Sequence, residues 1–253
     1  MLQKDPKAAV VILGDAGLNW NLNEQDSYMK DFLKKTYKFR IYCVRGNHDA
    51  RPQDVSDMKL IYDEDVQGEV YIQEKWSNIR YFKDWGIYTL GRFKVAVIGG
   101  AYSVDKWYRL ANKYIWFKNE QLSEEEMVQC TKDLTNQKID FVFTHTCPIC
   151  WEPTDLFLNS INQASVDKSM ELFLEEICQC FDWKIFCFGH FHADRIERPY
   201  VEQFYQDTEN INDIWLRWKK YSETKELDWW LDKSENFYMT DYLLEGKINN
   251  ENV

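Results

Sequence analysis

Apolar residues gather along this chain in short continuous runs, separated by polar stretches marked with glycine. Residues 8–13 read A-A-V-V-I-L and stop at Gly14, the pattern of a parallel strand buried on both faces. Asp15 then stands at the carboxyl end of a central strand, where open α/β sheets hold their ligands. Tyr28, Met29, Phe32 and Leu33 recur at helical spacing within residues 26–36, and lysines gather towards the end of that stretch, as a helix dipole prefers. Residues 39–44 form the next buried run and leave through Arg45-Gly46-Asn47-His48-Asp49. Strand, helix and strand in this order predict a right-handed βαβ unit of a parallel sheet. Residues 1–7 are polar and read as a helix tail or a loop.

The texture then changes. Residues 51–67 read as a polar loop. Residues 70–72, 79–82, 87–90 and 94–98 are short β-rich pieces punctuated by Gly86 and Gly91, which predicts antiparallel strands and hairpins. Residues 99–109 open on two glycines and carry polar and aromatic groups; the segment reads either as a substrate-facing loop or as an ordinary packed one. Ser123 with Glu126 three residues on is a capping box, starting a helix that runs to about residue 136. Residues 139–144 predict a strand ending at His145, and residues 184–188 one ending at Gly189-His190. Between them a helix opens at Ser165, with Met170, Phe173, Leu174 and Ile177 as its core-facing stripe. From Tyr200 the chain turns acidic and rich in tryptophan (Trp215, Trp218, Trp229, Trp230), with a helix expected over residues 211–221. The expected organisation is a domain over residues 1–200 and an extension, residues 201–253, packed on it or capping it.

Length and composition narrow this picture. The 253 residues suffice for one large domain or two small ones. At 45% apolar and 16% aromatic the chain is globular rather than disordered. No apolar run approaches the roughly 18 residues of a membrane span, and no secretory signal is visible. The net charge of -11 lacks the basic field of nucleic-acid binders. Seven cysteines are an odd number in a chain too long to need disulfide staples, so they read as reduced thiols and the expected compartment is the cytoplasm. Cys147-Pro148-Ile149-Cys150 has redox or zinc spacing but no second such pair to complete a zinc site. It reads as loop thiols beside a metal site, with a redox role as the alternative.

The candidate chemistry is concentrated in the histidines. The chain has four, and all lie in Gly46-Asn47-His48-Asp49, Thr144-His145-Thr146 and Gly189-His190-Phe191-His192, each at or just beyond a strand-like run. With Asp15 of Gly14-Asp15-Ala16-Gly17 they make a ligand set of imidazole, carboxylate and amide, suited to Mn, Fe or Zn.

Those four motifs, in this order and spacing, resemble the calcineurin-like metallophosphoesterases over residues 8–195. The resemblance implies an α/β fold, a four-layer α/β/β/α sandwich of mixed sheets with metals at the strand ends. It implies hydrolysis of a phosphate mono- or diester through a metal-bound hydroxide. Asp15 would bridge two metals. Asn47, His145 and His190 would complete one site with it, and His192 would serve the other. His48, with Asp49 beside it, would stabilise or protonate the leaving group. The implied partner is a small phosphate ester, a nucleotide or a phosphoprotein. Nucleic acid is disfavoured by charge, although bound metal reverses the sign locally; no membrane is expected, and a homo-oligomer is left open.

Two departures qualify the resemblance. The family's first motif, D-x-H, has no counterpart before Asp15. The second site then keeps only Asp15 and His192, whereas a catalytic metal normally has three protein ligands. Three explanations stay open: an incomplete N-terminus, a one-metal or weakened enzyme, and an inactive metal- or phosphate-binding relative. A missing first strand would leave neighbouring backbone unpaired, so the C-terminal extension or a second subunit is expected to cover the gap. The second departure is Leu18-Asn19-Trp20 where protein phosphatases of the family carry D-R-G. Arg45, Arg51 or Arg109 could supply a phosphate grip instead, and each also reads as a surface or structural arginine.

Overall fold

The computed structural model describes residues 8–224; residues 1–7, Trp229 and Trp230 lie outside the described residues. Two mixed sheets carry the architecture. The first has the order β1 (Ala9–Ile12), β2 (Arg40–Cys43), β5 (Ile79–Phe82), β4 (Gly68–Gln73), β3 (Met58–Asp63). The second has the order β10 (Arg195–Arg198), β11 (Val201–Gln203), β9 (Ile185–Phe188), β8 (Phe141–Thr144), β7 (Phe93–Ile98), β6 (Trp85–Leu90). β1, β2 and β5 run parallel, as do β7, β8, β9 and β11, while the hairpin partners β3–β4 and β6–β7 are antiparallel.

Alternation along these strands separates three layers of apolar contact. Tyr42, Val44, Phe82, Val95, Val97, Phe141 and Phe143 fill the space between the sheets. On the outer face of the first sheet, Ile41, Cys43, Ile79 and Tyr81 meet Leu33 of α1 (Glu24–Thr36). On the outer face of the second, Ala96, Ile98, Val142, Phe186 and Phe188 meet α3 (Glu124–Leu134) and α4 (Ser169–Ile177). Helix, sheet, sheet and helix therefore stack as the resemblance implies. The stripe of Met170, Phe173, Leu174 and Ile177 is buried, and Ser123 and Glu126 close a reciprocal capping box. α1 begins two residues earlier than its apolar spacing indicates, because the Asn23 side chain caps it by accepting from the Gln25 N–H.

Several expectations change. β1 lies at the edge of its sheet, and its residues are exposed or half-buried rather than buried on both faces. Residues 58–63 are a strand, not a loop: β3 is an edge strand with Leu60 and Tyr62 exposed, so it carries no buried periodicity to read. The end of the glycine-opened segment enters the short helix α2 (Lys106–Ala111). All seven cysteines are free. No helix among the described residues is long and apolar enough to cross a membrane.

The C-terminal segment enters the core. α5 (Ile211–Thr224) buries Ile214 and sets Trp215 against Phe93 and Phe141 on the inner face of the second sheet. Val11 and Leu13, from β1 and its exit, pack against the same cluster. The tail helix thus covers the inner face of the second sheet.

β11 carries Glu202 into the contact with α5, where Oε1 accepts from Arg217 Nη2 at 2.7 Å and Oε2 is shielded without a partner. Burial pushes this carboxyl from 4.5 up to about 7, against the pull of Arg217. A carboxyl raised in the folded state adds stability that is fully present below its unfolded value and is lost as pH rises through its folded value. Glu202→Gln is therefore expected to flatten the fall in unfolding free energy between about pH 4.5 and 7. The change is roughly 1–3 kcal/mol, read from denaturant melts on either side of that window.

Candidate metal centre and active site

The carboxyl ends of β1, β2, β8 and β9 deliver Asp15, Asn47, His145 and His190 to one place. Glycine makes the approach feasible. A Cβ on Gly14, whose φ is +95°, would lie 2.0 Å from His145 Nδ1, and one on Gly46 would lie 2.0 Å from Asp15 Oδ1. Asp15, His190 and His192 themselves hold φ of 51°, 70° and 56°, a left-handed conformation that costs a non-glycine residue about 1–3 kcal/mol. Such outliers cluster where a site over-determines the backbone.

Hydrogen bonds fix the orientation of each donor atom. His145 Nδ1 donates to the Leu13 carbonyl at 2.7 Å, which turns Nε2 inward. Nε2 stands 2.9 Å from Asn47 Oδ1, 3.4 Å from Asp15 Oδ2 and 3.3 Å from His190 Nδ1. Asn47 Nδ2 donates to Ser103 Oγ at 2.9 Å, so the amide oxygen is the atom facing His145. Asp15 Oδ1 accepts from the His48 N–H at 2.9 Å. Carboxylate, amide and imidazole atoms thus face one another around His145 Nε2, a set that suits positive charge, whether a proton or a metal ion.

The protonation equilibria agree. Burial alone would raise the Asp15 carboxyl, but His145 and His48 hold it well below the usual carboxylate range. Burial opposes charge on His145, yet the Asp15 carboxylate raises its pKa, so a second proton on Nε2 can take the place of a cation there. Burial and the neighbouring His145 push His190 down to about 3, leaving its ring neutral with a lone pair to offer. The donor set fits a divalent ion such as Mn, Fe or Zn. No three His, Cys, Asp or Glu side chains among the described residues stand at metal-bonding spacing by themselves. The contacts form a chain from His190 through His145 to Asp15 and the Asn47 amide rather than a closed cage.

The remaining sequence candidates divide. His48 stacks on Trp20, with centroids 4.5 Å apart, and its Nε2 faces Asn47 Nδ2 at 3.3 Å and Arg109 Nη2 at 3.5 Å. Asp49 folds back to accept from the Gly46 N–H at 2.9 Å, and burial pushes its carboxyl up to about 6; it braces the turn that carries Asn47 and His48. His192 stacks on Tyr205 at 4.9 Å. Arg45 is buried, pairing with Asp84 and the Glu120 carbonyl. Arg51 is buried between Asp84 and Glu126 and donates to the carbonyls of Asn119 and Gln121. Of the three arginines, Arg109 is the one at the site: its guanidinium lies over Trp20 at 5.0 Å while Nε pairs with Asp105.

Sequence reasoning missed the pair behind Asn47. The Ser103 hydroxyl donates to Glu120 Oε2 at 2.5 Å and its backbone N–H to Oε1 at 3.0 Å, while Trp116 Nε1 also donates to Oε2. Ser103 lies in the glycine-opened segment, which was a signal; Glu120 had none. Partners of this kind fix ligand orientation. Ser103→Ala is expected to weaken Mn²⁺ affinity about 10–100-fold, measured by calorimetric titration, since the Asn47 amide is then free to turn its NH₂ inward.

A family model described as calcineurin-like phosphoesterase matches residues 1–194. Comparison with curated proteins gives no match. The family comprises hydrolases of phosphoester bonds that generally bind two divalent metals. With more than half its length matched, and with two mixed sheets flanked by helices, the chain belongs to the calcineurin-like phosphoesterase family.

Proposed function

We propose that this chain hydrolyses a phosphate mono- or diester with the help of a divalent metal held by Asp15, Asn47, His145 and His190. One observation carries the reading: a carboxylate, an amide oxygen and two imidazoles converge at the strand ends. When bound, the metal would supply charge neutralisation at phosphorus and an acidified water. Asp15 is kept ionised for that charge, and the Leu13 carbonyl keeps the His145 ring oriented. In the net reaction the water oxygen bonds to phosphorus and the bond to the leaving oxygen breaks, the water proton ending on that oxygen.

His48 is the residue proposed to carry this proton. Burial and Arg109 hold its ring below the usual histidine range, against the pull of Asp15. Once protonated, such a ring donates readily. Arg109, 3.5 Å from His48 Nε2, is placed to steady a phosphate oxygen at the same point.

The second reading is a weakened or binding-only relative, favoured by His192 resting on Tyr205 rather than meeting Asp15. Hydrolysis of aryl phosphate mono- and diesters separates the two. Turnover with Mn²⁺ that stops on chelation and returns with added metal supports the enzyme. A Mn²⁺-dependent rise in Tm without turnover supports the binding relative.

A further inference from the structure

A cleft of about 400 Å³ opens beside His48, lined by Trp20, Asn21, Tyr108, Arg109, Lys113 and Tyr114 among others. That volume falls within the roughly 300–1,000 Å³ of small-molecule sites, which suits one small ligand rather than a polymer. One wall is continuous with the chemistry. Trp20 stacks on His48 with an interplanar angle of 26°, and Arg109 joins the two by lying over the Trp20 ring and facing His48 Nε2. Tyr108 and Tyr114, with centroids 6.0 Å apart, leave more than half of their surface open, at 61% and 56%. Lys113 stands at the rim with φ of 58°.

The wall chemistry selects the ligand. Aromatic faces take a flat ring by stacking, and the two cations take an anion beside it. Asn21 gives the lining a hydrogen-bonding edge that a plain hydrocarbon ring would leave unused, while Asp105 is engaged by Arg109 Nε. A nucleoside phosphate combines a flat base, hydroxyls and an adjacent phosphate in one molecule. We infer that the cleft is a base-stacking subsite and that the substrate is a nucleotide, its base against Trp20, Tyr108 and Tyr114 and its phosphate at Arg109 and His48. The inference rests on the phosphoesterase reading for its catalytic half; the ligand half stands on the cleft.

Two diesters with the same leaving group test it: p-nitrophenyl thymidine 5′-phosphate and methyl p-nitrophenyl phosphate, offered to the full chain with Mn²⁺. The expected kcat/KM ratio favours the thymidyl ester by about 10-fold or more, the factor of one stacked base. In the double variant Tyr108→Ala/Tyr114→Ala the ratio falls towards parity, and in Tyr108→Phe/Tyr114→Phe, which keeps both ring faces, it is retained. Calorimetry with thymidine 5′-monophosphate and with inorganic phosphate supplies an arm free of turnover, and the nucleotide is expected to bind more tightly by a similar factor. Tight nucleotide binding without hydrolysis of either ester keeps the subsite and overturns the catalytic reading. Parity between the esters together with parity in binding overturns the subsite, as does a preference that survives the alanine variant.

Discussion

Asn47→Ala and His190→Ala are each expected to lower Mn²⁺-dependent turnover of an aryl phosphate by about 10²–10³-fold or more, the loss typical of removing one preorganised charge-stabilising group. Both residues face His145 Nε2, at 2.9 Å through Asn47 Oδ1 and at 3.3 Å through His190 Nδ1. Neither anchors the core layers, so circular dichroism and the metal-free Tm should hold. The Asn47 side chain bonds to Ser103 and faces the two histidines, while His190 already sits in a strained left-handed conformation. The diagnostic readout is the Tm increment on adding Mn²⁺, because a ligand that binds only the folded state stabilises by RT ln(1 + [L]/Kd), about 2.7 kcal/mol at 100 Kd. That increment should shrink in step with turnover. Activity that survives both substitutions would place the chemistry at another site.

Phe141→Ala is expected to destabilise the chain by about 3–5 kcal/mol, as for other large-to-small changes in packed cores. Phe141 is 0% exposed, and its ring meets Phe93 at 5.2 Å, Phe143 at 5.9 Å and Trp215 at 6.2 Å. Those partners come from β7, β8 and α5, so the ring joins the second sheet to the tail helix and its removal leaves a void between elements that cannot close independently. Each kcal/mol lowers Tm by roughly 2–4 °C at this chain size, and the shift is measurable by calorimetry. A loss below about 1 kcal/mol would mean that α5 collapses into the space, against the partial relaxation normally seen around such voids.

The layered fold was legible because its signals are local. Continuous apolar runs marked β1, β2, β8 and β9, and the helical spacing of Met170, Phe173, Leu174 and Ile177 marked α4. The motif residues Asp15, Asn47, His145 and His190 could be named because each lies at or just beyond such a run, in the order the family resemblance requires. Illegible were the features made by distant partners. Ser103 meets Asn47 across 56 positions, and the Glu120 carbonyl meets Arg45 across 75. No periodicity encodes such a pairing. Arg45 and Arg51 stayed open between phosphate grip and structural pairing, because an arginine beside a metal motif carries no mark of whether Asp84 will claim it. Trp20 read only as a departure from the protein-phosphatase motif; its stacking on His48 depends on how two strand exits meet.

The place of α5 also governs the order of assembly during translation. Asp15, Asn47, His145 and His190 all leave the ribosome before residues 211–224, and domains tend to fold from the N-terminus as they emerge. A nascent chain stalled before α5 would therefore already own its metal-ligand candidates, yet present Phe93 and Phe141 of the second sheet without the helix that covers them. Transiently exposed apolar surface of this kind makes an intermediate prone to aggregate until α5 arrives.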